Sequence, residues 1–122
     1  EYVRTTLSWC AGDLDNRMPG GESGREALAR SLETVRRVGL AAREQAGEDA
    51  VAVFVIHVAL TRLLATWLSD EIDESLVSKH FMSNTGTTTF EWAAGFTPAS
   101  ASELAKGLHA LTWNDRPLDQ WA

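Results

Sequence analysis

The fold-determining stretch runs from Asp49 to Leu68 and reads DAVAVFVIHVALTRLLATWL. Val51 to Ile56 are six consecutive apolar residues that end at His57. A run of this kind predicts a strand buried on both faces, because a half-exposed strand would alternate apolar and polar residues. The apolar residues that follow at helical spacing are Leu60, Leu63, Leu64 and Trp67. We therefore expect a helix to begin directly after His57 and to pack back on the strand.

His57 lies at the junction between the predicted strand and the predicted helix. Ligands of open α/β sheets bind beyond the carboxyl ends of strands, and a helix start offers free N–H groups and a partial positive charge to anions. This position indicates that the imidazole of His57 binds a phosphate group. The alternative is a structural histidine beside an apolar strand.

Length and charge restrict the class of protein. A chain of 122 residues with 44% apolar content is enough for one modest core, so residues 1–122 are expected to form a single domain. Eleven basic against seventeen acidic side chains give a net charge of −6, which argues against nucleic acid as a partner. The longest apolar run is far shorter than the roughly 20 residues that span a bilayer, and the chain starts with no signal-like pattern. We expect a cytoplasmic protein with no membrane partner.

Metal and disulfide chemistry are also disfavoured. Cys10 is the single cysteine, and the three histidines are separated by more than 20 residues. No intramolecular disulfide can form, and local ligand pairs are absent. We therefore expect no metal and no cofactor.

The remaining segments predict two helices and a hairpin. Tyr2 to Trp9 is expected to be a short helix with Val3, Leu7 and Cys10 on one face. Ser23 and Glu26 form a capping box, so a second helix should start at Ser23. Its apolar stripe consists of Leu28, Leu32, Val35, Gly39, Ala42 and Ala46. Glycine on this stripe indicates that the backbone passes close to the sheet. The β-branched and aromatic residues from Thr87 to Trp113 predict an antiparallel hairpin with a long loop.

Four of these pieces, in this order, resemble the histidine phosphatase superfamily, in its phosphoglycerate mutase-like branch. They are Pro19-Gly20-Gly21-Glu22-Ser23 opening a helix, the strand ending at His57, Asn84-Thr85-Gly86 leading to Glu91-Trp92, and Leu111-Thr112-Trp113-Asn114. Arg62 follows His57 at the family's usual spacing. The resemblance covers the C-terminal half of the family's domain. It implies an α/β fold in which helices pack on a small mixed sheet, like the C-terminal part of a three-layer α/β/α sandwich.

The resemblance also implies an activity and a set of site residues. Family members transfer a phosphoryl group through a phosphohistidine, and His57 corresponds to the second histidine, which holds the phosphate. The backbone N–H of Val58, together with Glu22 and Ser23, would be further phosphate-binding groups. The implied ligand is a phosphorylated small molecule or phosphate itself.

The sequence departs from the family pattern at the nucleophile. No Arg-His-Gly occurs in it, and Val58 replaces the usual glycine after the second histidine. We expect a truncated or split chain that is inactive alone and is not a compact monomer. Either a homodimer pairs its open strand edges, or two copies exchange a segment, or a companion chain supplies the missing N-terminal half. The alternative is a degenerate, non-catalytic module that binds anions or another protein. Whether the chain takes part in an enzyme is left open by the sequence.

Overall fold

The structure is a computed structural model that describes residues 2–121. Its helices are α1 (Tyr2–Cys10), α2 (Gly24–Ala46), α3 (Val58–Leu68), α4 (Glu74–Lys79) and α5 (Ala101–Leu104). Its strands are β1 (Thr89–Glu91), β2 (His109–Trp113) and β3 (Arg116–Pro117), and a 3₁₀ turn at Leu118–Trp121 follows. This combination confirms the α/β class. No helix within the described range is long and apolar enough to cross a bilayer.

Helix α3 lies at the centre of the packing. It contacts α1, α2 and β2, and it begins directly after His57, as predicted. Leu63 and Leu64 are buried, while Leu60 and Trp67 pack against the same core, which confirms the apolar stripe. Helical spacing placed these side chains correctly because residues three and four apart lie on one face of a helix, and this face of α3 packs on the core.

The sheet is a small antiparallel one in the order β1-β2-β3. Thr89 lies opposite Thr112 and Glu91 opposite His109, so the hairpin predicted between Thr87 and Trp113 is confirmed. The predicted mixed sheet is not observed, because the strands described here all run antiparallel to their neighbours.

The prediction of a strand buried on both faces at Val51–Ile56 is wrong. The segment has no helix, turn or bend, and it joins none of the three strands. Val51, Val53 and Val55 are 82%, 81% and 95% exposed. The physical reason is that burial on both faces requires neighbouring elements, and the sheet of residues 2–121 does not include this segment. No element of residues 2–121 covers the segment.

Helix α1 forms over the predicted residues, and Leu7 and Cys10 of its predicted stripe pack against a core cluster. Val3 is exposed, whereas Thr5, Thr6 and Trp9 are buried. Trp9 packs so closely on Gly24, the first residue of α2, that a Cβ there would lie 2.5 Å from the indole ring. The buried Thr6 hydroxyl is satisfied because it donates to the Tyr2 carbonyl at 3.0 Å. The bulk of Trp9 therefore sets the orientation of this short helix.

Helix α2 starts with the predicted capping box. The amide of Glu26 donates to the Ser23 hydroxyl at 3.2 Å, and the Ser23 amide donates to the Glu26 carboxylate at 2.9 Å. The close approach expected at Gly39 is also present. The ring of Trp92, directly after β1, lies where a Cβ on Gly39 would meet it at 2.5 Å.

We expect Gly39→Ala to destabilise the chain by about 1–3 kcal/mol, because the added methyl overpacks against Trp92. In a Trp92→Ala background the same change should stabilise by up to about 1 kcal/mol, since alanine is the better helix former. Chemical denaturation of the four proteins of this double-mutant cycle measures both effects. Equal effects in both backgrounds would contradict the close packing.

Candidate functional site

A pocket of about 350 Å³ opens at the N-terminus of α3. One wall is the chain from Ile56 to Ala59 with Thr61, and the other is the loop from Met82 to Gly86. Tyr2 of α1 completes the lining. The fold thus brings His57 beside Asn84-Thr85-Gly86, two motifs that are far apart in the sequence.

His57 is the N-cap residue of α3, with φ −75° and ψ 154°. Its carbonyl accepts hydrogen bonds from the Thr61 amide at 3.0 Å and from the Thr61 hydroxyl at 3.1 Å. Its imidazole is exposed and makes no capping hydrogen bond to the helix. The first N–H groups of a helix have no partner within it, so the pocket combines an available imidazole with the helix dipole and the amide of Val58.

The opposite wall is held by the turn between β2 and β3. Asn114 and Asp115 have φ of 50° and 69°, which suits a tight hairpin turn. The Asn114 side-chain oxygen accepts from the Ser83 amide at 3.0 Å, and a side chain at Gly86 would collide with that oxygen. The position of the Met82–Gly86 loop therefore depends on this turn.

A second residue of that turn anchors the end of the loop. The Asp115 carboxylate accepts from the Thr87 amide at 3.1 Å and from its hydroxyl at 2.6 Å. Asn114 entered the sequence analysis only as the end of a family motif, and Asp115 was given no role. Two adjacent residues with short side-chain acceptors, directly after a predicted strand, were the available signal for a supporting role.

Glu22 and Ser23 lie away from the pocket. Ser23 is buried as the N-cap of α2, and its hydroxyl is engaged by Glu26. Glu22 forms an ion pair with Arg30 at 2.9 Å. Neither residue lines the pocket at His57, so of the candidate phosphate-binding residues the fold brings together only His57 and Val58.

Arg62 lies one turn further along α3 than the pocket, and it is the least expected feature of the region. It is 3% exposed, its guanidinium carbon lies 4.8 Å from the centre of the Phe81 ring, and its Nε has no hydrogen-bond partner within residues 2–121. Burial raises the pKa of the nearby Cys10 thiol, and the Thr66 hydroxyl and the Arg62 charge oppose that rise. A buried cation without a counterion is destabilising.

The other two histidines lie outside the pocket. His80 stacks on Trp121 with ring centroids 4.5 Å apart, and His109 contacts the Glu71 carboxylate at 2.6 Å. In the part of the chain that the structure describes, no three His, Cys, Asp or Glu side chains are placed to hold a metal ion.

Comparison with known protein families confirms the predicted family. The family model of the histidine phosphatase superfamily (branch 1) matches residues 1–101. The chain therefore belongs to the histidine phosphatase superfamily. No curated protein and no solved structure matches it.

We expect Arg62→Met to raise the free energy of unfolding by about 1–3 kcal/mol, because it replaces a buried charge that has no ion pair within residues 2–121 by an apolar chain of similar length. Urea denaturation measures the change. Arg37→Met, on the exposed side of α2, is the matched control and should stay within about 0.5 kcal/mol. Destabilisation by Arg62→Met would show that the guanidinium contributes more through its contacts than its burial costs.

Proposed function

We propose that this chain provides the phosphate-holding side of a phosphoryl-transfer site, with His57 as the second histidine. The observation that supports the proposal most directly is the single pocket shared by His57, the start of α3 and Asn84-Thr85-Gly86. A phosphoryl group carries distributed negative charge, and fixed N–H donors and a histidine stabilise it without reorganising. The substrate class is a phosphorylated small molecule.

The pocket binds phosphate weakly in this proposal. Val58 occupies the position after His57, and its branched side chain crowds an amide that glycine would leave open. The pocket is also open to water, which competes for the donors. We therefore expect a Kd for free phosphate in the millimolar range, which corresponds to a binding free energy of about −4 kcal/mol.

The chemical step needs a nucleophile that these 122 residues do not provide in the family's form. Phosphohistidine chemistry requires a nucleophilic histidine next to the bound phosphoryl group. There is no Arg-His-Gly in the sequence, and neither His80 nor His109 lines the pocket. In the proposed function, a companion segment or a second chain supplies the nucleophile and the acid that protonates the leaving oxygen.

A non-catalytic role is the second candidate. The exposed apolar segment Val51–Ile56 favours a module whose main task is to bind another polypeptide. The two candidates differ in whether phosphate binding at His57 is retained.

The chain alone should show no phosphomonoesterase activity, because His57 can hold a phosphoryl group but no nucleophile faces it. Hydrolysis of an aryl phosphate across the pH range in which imidazole titrates measures this. Turnover that is lost in His57→Ala and kept in His109→Gln would contradict the assignment, since it would make His57 itself the nucleophile.

Phosphate should shift the NMR signals of the His57 ring and of the Val58 amide in a saturable way. An anion at the start of α3 changes the environment of both groups. Sodium chloride at matched ionic strength is the control, and the signals of His109 should respond equally to both salts. Ring signals of His57 that do not distinguish phosphate from chloride would remove the phosphate site and leave the non-catalytic candidate.

A further inference from the structure

The loop that forms one wall of the pocket is anchored at three points by consecutive residues. The anchoring residues are the last residue of β2 and the two turn residues after it, Trp113, Asn114 and Asp115. The Trp113 indole donates to the His80 carbonyl at 2.7 Å, just before the loop. The side chains of the two turn residues accept from the amides of Ser83 and Thr87 at 3.0 and 3.1 Å. The backbone between these points is therefore positioned before a ligand arrives.

The tip of this loop consists of Asn84 and Thr85, which are both exposed and both line the pocket opposite His57. Neither side chain forms a hydrogen bond with the residues that the structure describes. A carboxamide and a hydroxyl each offer donors and acceptors. The loop tip thus presents unpartnered, neutral hydrogen-bonding groups on an anchored backbone.

Thr85 is strained in this position. Its φ is 66°, in the left-handed region, where a β-branched residue is an outlier because its side chain crowds the backbone. Glycine would adopt this conformation without strain. Strained residues of this kind persist only where the surroundings enforce them, and they cluster at binding sites. The chain therefore keeps a hydroxyl group facing the pocket at a position where that side chain is destabilising.

We propose that the loop tip binds hydroxyl groups in the alcohol part of a phosphomonoester whose phosphate lies at His57. The pocket of about 350 Å³ equals the volume of roughly ten water molecules, which leaves room beside a phosphate group. The wall from Met82 to Gly86 carries no charged side chain, so it suits uncharged hydroxyls rather than a second anionic group. The ligand class is a phosphorylated polyol or sugar. This assignment rests on the proposed function for the phosphate end of the ligand.

Two phosphomonoesters with the same charge and carbon number test the loop tip. In NMR titrations of the 122-residue chain, followed at the Val58 amide, glycerol 1-phosphate should bind about three- to tenfold more tightly than propyl phosphate, because its hydroxyls gain neutral hydrogen bonds. Asn84→Ala and Thr85→Gly should each lower this ratio and leave the Kd for inorganic phosphate unchanged. Gln45→Ala, which removes an exposed carboxamide on α2, is the matched control and should keep the ratio.

Thermal unfolding separates a loss of binding groups from a loss of structure. Thr85→Gly should keep or raise the unfolding midpoint, because glycine relieves the left-handed strain. A lower ratio in this variant then reports the missing hydroxyl and not a damaged fold.

Asp115 is a positioning residue in this proposal, because it holds the end of the loop without lining the pocket. Asp115→Gly keeps the positive φ of the turn but releases Thr87, so it should lower the preference for glycerol 1-phosphate over propyl phosphate. Asp115→Asn retains a side-chain acceptor and should restore most of that preference. A purely structural role would instead leave the ratio of the two Kd values unchanged.

The phosphate end and the alcohol end of the site can fail separately. If the signals of His57 and Val58 do not distinguish phosphate from chloride, the proposed function and the role of the loop tip are both overturned. If phosphate binds but glycerol 1-phosphate and propyl phosphate have equal Kd values, only the role of the loop tip is overturned. A ratio that survives both Asn84→Ala and Thr85→Gly would overturn it as well.

Discussion

The packing of α3 against its neighbours is the constraint on which the other parts of this structure depend. The C-terminal end of α3 is fixed by backbone hydrogen bonds, in which the amides of Lys106 and Leu108 donate to the carbonyls of Trp67 and Leu68 at 2.7 and 2.9 Å. Leu63 and Leu64 lie in the core shared with α1 and α2, and Ala65 lies in the core shared with β2. With its body buried and its end held, α3 presents its first turn at a fixed place, and the pocket forms there.

The features that the sequence predicted correctly are those encoded locally. The start of α2 follows from Ser23 and Glu26, and the start and apolar face of α3 follow from helical spacing. The role of Gly39 could be predicted because glycine destabilises a helix interior, so a glycine inside an apolar stripe indicates a closely packed neighbour. That neighbour is Trp92. Each of these predictions depends on residues within a few turns of one another.

The features that were missed depend on what lies beside a segment rather than on the segment. The composition of Val51–Ile56 is typical of a doubly covered strand, but burial is supplied by neighbours, and the described residues supply none. On α1, Leu7 and Cys10 were placed correctly, whereas Val3 is exposed and the burial of Trp9 was not predicted. Arg62 matched a family spacing, yet neither its burial beside Phe81 nor the lack of a hydrogen-bond partner for its Nε within residues 2–121 could be inferred from that spacing.

The residues that line the pocket differ from the residues of the Asn114-Asp115 turn, which support one of its walls. The family match ends at residue 101, and the lining residues, with His57 among them, all lie within it. The side chains that hold the Met82–Gly86 wall come from beyond that limit. The residues that line this cavity and the turn that supports one of its walls are therefore encoded in separate parts of the chain. Substitutions in the β2–β3 turn can therefore reshape one wall of the pocket while the start of α3 and His57 stay untouched.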